Sequence, residues 1–339
     1  MQPTRSFSVI IPARNAASSI GRCLDSVFAL DPPALEVIVV DDASDDETGT
    51  IAEVRGARVV KCERNLGPGL ARNQGARAAS GELLAFTDAD CEVPGDWLRR
   101  LDEALSDGYA GVTGPYAGPT DQKLLPQLIH KTLRYSQKDM PSYMESSISC
   151  NLCFRKCDFD ATGGFPEYWL PWSRICYFGN EDEEVAHLVA KKTGRQIVWL
   201  RDNGVYHKYR TTLRGYWKQQ AKYAEAILVS YARFPAMALR TTNYSRAGGA
   251  VRVLAACIAL LSILIAPLNP LTLLGIAPFC AINAPCVAYV IRTGSETKKL
   301  SPLALACYPF LLFTALAWSK GLALGVVKGL AGLAYWSDR

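Results

Sequence analysis

Glu82-Leu-Leu-Ala-Phe-Thr-Asp88-Ala-Asp90 decides the fold. A short, unbroken apolar run ends in two carboxylates one residue apart. Such a run reads as a strand buried on both faces, and in an open α/β sheet ligands bind just beyond the carboxyl ends of the strands. The pattern recurs upstream. Ser8-Val-Ile-Ile-Pro12 leads into Ala13-Arg14-Asn15, and Glu36-Val-Ile-Val-Val40 stops at Asp41-Asp42. Between these runs, residues 16–30 carry helical spacing through Ile20, Leu24, Val27 and Phe28. Residues 48–54 and 69–79 also read as helices, and 57–62 as a strand. Strands that alternate with helices predict an α/β domain built on a mostly parallel sheet. Its ligand site would be lined by Pro12–Asn15, Asp41–Ser44 and Asp88–Asp90.

The charge is unevenly spread. Of 339 residues, 37 are Lys or Arg and 32 are Asp or Glu, a net charge of +5. Residues 1–200 hold 21 basic and 28 acidic groups, and 201–252 hold ten basic and two acidic. Residues 253–339 hold only eight charged groups. A nucleic-acid binder concentrates basic charge on its folded domain. Here the basic block precedes an apolar tail, which points to an anionic membrane surface and away from nucleic acid. The eleven cysteines are odd in number, and three of them (Cys257, Cys280, Cys286) lie in the uncharged run 253–291. They do not read as a disulfide framework. The first residues carry no apolar run of secretory length, so the N-terminal domain is expected in a reducing cytosol.

The 39 residues from Val253 to Ile291 contain no formal charge, enough for two spans divided near Pro267 and Asn269-Pro270. Spans are expected near 253–267 and 271–291. Residues 300–319 form a third uncharged run, which either crosses or re-enters, and 321–336 an interfacial helix. The positive-inside rule puts the basic stem and the loop 292–299 on the cytoplasmic side. The organisation read here is a catalytic domain at 1–230, a basic juxtamembrane stem at 231–252 and a membrane domain at 253–339.

A D-x-D at a strand end suits a divalent cation, which takes one or two carboxylates together with substrate phosphates. On its own such a pair also serves as an ordinary turn or helix cap. Several ordered motifs set it in context. Ser8-Val-Ile-Ile-Pro-Ala-Arg-Asn15, Val39-Val-Asp-Asp-Ala-Ser-Asp45, Arg64-Asn-Leu-Gly-Pro-Gly-Leu-Ala-Arg72-Asn73-Gln-Gly75 and Thr87-Asp-Ala-Asp90 occur in that order. Asn151-Leu-Cys-Phe-Arg155, Gly163-Gly-Phe-Pro-Glu167 and Gly179-Asn-Glu-Asp-Glu-Glu-Val185 follow. Together, over about residues 6–230, they resemble the family 2 glycosyltransferases of the GT-A, Rossmann-like fold.

The resemblance implies roles by position. Pro12, Ala13 and Asn15 would line the nucleotide pocket, and Asp42 in preference to Asp41 would hydrogen-bond the base. Arg72 would contact the donor phosphate, or else pair with an acidic neighbour. Asp88 would face the donor sugar or ribose, and Asp90 would ligate Mg²⁺ or Mn²⁺ on the diphosphate, with Asp88 beside it. Asp182, next to Glu181, would be the general base on the acceptor hydroxyl. His207 lies where the fold can supply a late metal ligand, although a His after a strand also serves structurally. Direct attack on the anomeric carbon inverts configuration. Two features depart from the family pattern. His187 and Leu188 stand where an Arg often follows the E-D pair, and Gln219-Gln-Ala-Lys222-Tyr223 is only an echo of the Q-x-x-R-W signature of processive synthases.

The function these readings imply is a metal-dependent inverting glycosyltransferase at the cytoplasmic membrane, its catalytic domain facing the cytosol. It would move a sugar from a nucleotide-diphosphate donor to a lipid-linked or membrane-proximal acceptor in envelope glycan or glycolipid assembly. A processive polysaccharide synthase and a catalytically silent nucleotide-sugar-binding membrane subunit are the alternatives. Cys150, Cys153 and Cys157 are taken as free thiols, since structural zinc needs two such clips. Trp169 and Trp172 read either as core or as a wall of a mobile acceptor loop.

Overall fold

A computed structural model describes all residues except 1–4, 106–107, 145–146, 168–179, 234–245, 268, 295–301 and 337–339. In chain order the elements are β1 (Phe7–Ala13), α1 (Ile20–Phe28), β2 (Glu36–Asp41), α2 (Thr48–Val54), β3 (Arg58–Lys61), α3 (Pro68–Ala78), β4 (Leu83–Phe86) and β5 (Cys91–Glu92). Then come α4 (Trp97–Ala104), β6 (Tyr109–Thr113), β7 (Tyr116–Pro119), α5 (Leu124–Gln137), β8 (Tyr143–Met144), β9 (Leu152–Arg155), α6 (Lys156–Thr162) and α7 (Glu181–Thr193). The series ends with β10 (Gln196–Trp199), β11 (Val205–His207), α8 (Leu213–Arg233), α9 (Arg246–Ile265), a 3₁₀ turn at Pro270–Gly275, α10 (Ile276–Gly294) and α11 (Pro302–Trp336). Two compact units result. One is the chain up to Thr120 with Met140–Lys208, and the other joins Asp121–Asp139 to the chain from Tyr209 onward.

The first unit is a mixed sheet in the order β3-β2-β1-β4-β9-β6-β10-β8. Strands β3, β2, β1 and β4 run parallel, whereas β9 is antiparallel to both β4 and β6. Alternation along β1 explains why the sheet is covered on both sides. Val9 and Ile11 join Val37, Val39 and Ala85 in one core with Leu24 of α1 and Leu98 of α4. Ile10 joins Ile38, Val40 and Phe86 in the other, with Ala71 of α3 and Val185 of α7. A strand that is apolar at every position needs such a cover on each face. Gly75 lets α3 approach closely, since a Cβ there would collide with Ile10 Cγ2 and lie 3.1 Å from Val40 Cγ2. The expected helix at 16–30 is shorter, Ile20–Phe28, because Asn15 to Ser19 are spent in loop hydrogen bonds. A small second sheet, β5-β11-β7, has β11 antiparallel to β5.

The second unit is helical. Tyr216 of α8 stacks on Phe310 of α11 at 5.1 Å, Gln220 accepts a hydrogen bond from the Trp318 indole, and Glu225 receives Lys328 at 2.9 Å. A break after 319 was expected, between a span and an interfacial helix. Instead α11 runs without interruption through Lys320 and Gly321. The reason is packing: a Cβ at Gly321 would strike the Ala221 carbonyl and Ala224, so this glycine admits α8 rather than ending α11. Likewise α9 begins at Arg246, ahead of the expected 253, and α8 runs across the expected boundary at 230. Among the described residues two stretches, Leu271–Thr293 and Ala306–Lys328, are long and apolar enough to cross a membrane by length and composition.

Candidate active site

Beyond β1 and β2 the chain turns through two residues with positive φ, Asn15 (49°) and Ala43 (55°). Non-glycine residues hold that conformation only where neighbours enforce it. Asn15 is so held, since its amide donates to Ser44 Oγ at 3.1 Å and its Oδ1 accepts from the Asp45 amide at 2.8 Å. Asn15 therefore ties the two strand-end loops together. Pro12 is half-buried, and Ala13 faces the core and offers the site its backbone.

The buried Asp42 carboxylate accepts the amides of Leu66 (2.7 Å) and Gly67 (2.9 Å), which fixes the loop that starts α3. Asp41 turns away from that loop. Its Oδ1 accepts from the Ser44 amide at 3.0 Å, and the carboxylate lies against Gly49. Of the two, Asp42 is the residue that joins the strand end to the rest of the site.

The centre of the site is Arg72 on α3. Its side chain is 3% exposed, with Nη2 2.6 Å from Asp88 Oδ1 and Nη1 3.3 Å from Glu181 Oε1. The guanidinium also sits 5.4 Å from the Phe165 ring centroid. Burial works against its charge, but Asp88, Glu181 and Asp182 outweigh that cost and hold its pKa above the usual arginine value. Of the two roles expected for Arg72, the structure brings out the pairing with acids, because a buried cation must have its charge matched.

Asp182 occupies the first turn of α7, where four consecutive acids meet the positive end of the helix. Its carboxylate accepts from the amides of Ser149 (3.3 Å) and Glu183 (3.0 Å). Some of its surface stays accessible, yet burial and the neighbouring Glu181 push its pKa up to about 7, against the opposing pull of Arg72 and the two amides. A carboxyl near neutrality can take a proton at physiological pH, as a general base must.

Asp90 sits in the half-exposed turn before β5. Register pairs Cys91 of β5 with His207 of β11 and so sets the Asp90 Oδ1 3.7 Å from His207 Nε2. Ligand atoms of Asp90, Cys91 and His207 all lie within 4.8 Å of one another, and among the described residues this is the metal-type cluster. Burial, with Cys150 and the acids nearby, raises the Cys91 thiol well above its ordinary pKa. The donors that fit a cation are therefore the Asp90 carboxylate and the His207 imidazole. A carboxylate suits Mg²⁺ and Mn²⁺ alike, and the imidazole favours the transition ion.

Sequence reading missed what joins the motifs. Asn73 accepts from the Phe165 amide and donates to the Phe165 carbonyl, both at 2.8 Å, and thereby clamps the Gly163–Gly164 turn onto α3. Gly164, at φ 80°, leaves the room, because a Cβ would strike Asn73 Oδ1. Ser147 and Ser149 hold Asp182, and Asn151 accepts from the Trp97 indole and donates to the carbonyls of Pro115 and Asn203. Asn73 and Asn151 stood inside motifs, whereas Ser149 acts through its backbone and left no signal. Cys150 and Cys153 are buried free thiols and Cys157 is exposed. Trp169, Trp172 and part of the basic stem lie outside the described residues.

Residues 8–157 match the model of "Glycosyl transferase family 2". Together with the sheet order and the acids at its strand ends, this match places a family 2 glycosyltransferase domain with a GT-A, Rossmann-like fold in that part of the chain. It is 34% identical over 145 residues to the succinoglycan biosynthesis protein ExoO of Rhizobium meliloti, covering 41% of this chain and 42% of that one. It is 26% identical over 245 residues to the pre-mycofactocin glycosyltransferase of Mycobacterium tuberculosis, covering 68% and 48%. The chain thus spans less than half the length of these curated relatives. Among solved structures, the mannosyltransferase PcManGT of Pyrobaculum calidifontis, in complex with GDP-Man and Mn²⁺, has the same fold. The TM-score is 0.59 at 19% identity, over 95% of this chain and 88% of that one.

Proposed function

We propose that this protein transfers a hexosyl group from a nucleoside-diphosphate sugar to a hydroxyl on a lipid-linked or membrane-proximal acceptor, with inversion at the anomeric carbon. The observation that carries this reading is the linkage of Asp88, Arg72, Glu181 and Asp182. One buried cation ties the end of β4 to the start of α7, the expected donor side to the expected base. In this reading Asp182 takes the proton of the attacking hydroxyl. The loops held by Asp42 and Asn15 receive the nucleotide, and Asp88, steadied by Arg72, faces the sugar. Asp90 and His207 would hold the divalent ion, which when bound neutralises the charge that develops on the diphosphate leaving group. The apolar helices and the basic residues of α8 support a membrane site, with the catalytic unit on the cytosolic face of the inner membrane and a role in envelope glycan assembly.

The pH dependence has a definite sign. A base with a pKa of about 7 is lost to protonation below it, so kcat/KM falls about tenfold per pH unit below 7 and levels off above. A profile flat from pH 5 to 8 removes Asp182 as the base.

The donor and ion are tested by thermal shift on the detergent-solubilised chain. With UDP or GDP present, Mn²⁺ is expected to raise the melting temperature, and Asp90→Ala and His207→Ala each abolish the ion-dependent part. An undiminished Mn²⁺ effect in both variants overturns the assignment of the ion site.

A further inference from the structure

We infer that the hairpin formed by α9, the 3₁₀ turn Pro270–Gly275 and α10 enters the hydrocarbon layer and returns to the face it came from, its tip ending inside the bilayer. This rests on the membrane reading above. The tip itself shows why. The 3₁₀ turn does not prolong either arm. Thr272 Oγ1 donates to the Ser262 and Asn269 carbonyls, and Gly275 sits so close to Ser262 that a Cβ would collide with its hydroxyl. The turn is thus folded back beside the last turns of α9. Depth is then set by α9 alone on one side and by α10 alone on the other.

Both arms are short. The uncharged part of α9, 253–265, is 13 residues, roughly 20 Å at a helix rise of about 1.5 Å. The uncharged part of α10, 276–291, is 16 residues, roughly 24 Å. A hydrocarbon core is about 30 Å thick. The apolar stretch Leu271–Thr293 has spanning length by composition, but its first residues belong to the folded-back turn and add no reach.

The tip is also suited to an apolar solvent. Leu264, Leu271 and Leu274 are 66%, 72% and 73% exposed. A loop that surfaces among headgroups or in water ordinarily presents polar side chains there. Asn269 is exposed at this tip, but its Oδ1 and the backbone groups around it are paired within the turn. The amides of Ala266, Asn269 and Thr272 donate to the carbonyls of Ser262, Ile265 and Asn269. The Leu271 amide donates to Asn269 Oδ1, and the Ser262 hydroxyl to the Ile258 carbonyl. Backbone groups in hydrocarbon must be satisfied in this way, since no water is there to do it. The occupant of this surface is the acyl-chain interior of one leaflet and the midplane beyond it.

The test uses the full chain in sealed vesicles of phosphatidylethanolamine and phosphatidylglycerol. Leu271→Cys and Arg292→Cys are treated with a membrane-impermeant maleimide from each face, and labelling is scored above that of the unsubstituted chain. Arg292→Cys is expected to react from one face. Leu271→Cys is expected to react from neither, with at least about a tenfold gain once detergent is added. Reaction of intact-vesicle Leu271→Cys from the opposite face shows that the hairpin crosses, and from the same face that the tip stays outside the hydrocarbon. Either result overturns the inference, as does an oxidative Leu271→Cys dimer, which means that a second copy covers the tip. Failure of the unsubstituted chain to float with vesicles overturns the membrane reading itself, by a measurement independent of the tip.

Discussion

Asp182→Asn is expected to lower sugar transfer by about 10²–10⁴-fold, the range contributed by a positioned general base, with nucleotide-sugar binding unchanged. The substitution keeps the shape of the side chain and the bond from the Glu183 amide to its oxygen, and it loses only the longer bond from the Ser149 amide. Stability should move the other way. Asp182 has a pKa raised from the usual carboxyl value to about 7, so the folded protein binds that proton more tightly than the unfolded chain. Its ionisation therefore costs stability as pH rises from about 4 to 7. At pH 7.5 the amide removes that cost and the repulsion with Glu181, so the melting temperature of Asp182→Asn should equal or exceed that of the parent. Transfer assays and calorimetry on the same preparation check both. Turnover within threefold of the parent contradicts the assignment of Asp182, and a large fall in melting temperature gives it a structural part instead.

Arg72→Ala should produce the largest loss of stability among single changes in the site, about 3–5 kcal/mol, the range for breaking a buried ion pair by removing one partner. Two effects combine. Glu181 is left buried beside Asp182 without the Arg72 charge, and the Phe165 ring loses the charge held at its face. Arg72→Lys should recover only part of this, because one ammonium cannot reach Asp88 and Glu181 as a planar fork does. Urea midpoints at constant slope measure the loss, and a change under 1 kcal/mol shows that the ion pairs contribute nothing. A second consequence is chemical. Arg72 pulls the Asp182 pKa down, so its removal lifts that pKa above about 7 and moves the low-pH limb of any remaining activity to higher pH.

Much of the first unit is legible in the residues alone. Runs such as Val9–Pro12 and Val37–Val40 are apolar at every position, which only a strand covered on both faces tolerates, and the structure places them in β1 and β2. The helix at 48–54 is found at Thr48–Val54, and 69–79 at Pro68–Ala78, because Gly67 and Pro68 punctuate its start. Carboxylates at strand ends set the expectation of a ligand site there, since a sheet of this kind leaves its open edge at the carboxyl termini.

The rest is set by contacts between distant positions. Nothing near Asp90 in the sequence announces His207, 117 residues later, because their approach depends on the antiparallel pairing of β5 with β11. Nothing around Arg72 distinguishes a donor-facing arginine from a buried strut until Asp88 and Glu181 arrive on two other elements. In the helical unit, composition gives the apolar lengths, but α11 stays unbroken because α8 fills the notch at Gly321. Local pattern determines which segments become strands and helices, since that choice is made by neighbours within a turn or a pleat. Protonation state and partnership were decided only by the tertiary structure, because charge–charge energies depend on distance and burial, and folding alone supplies both.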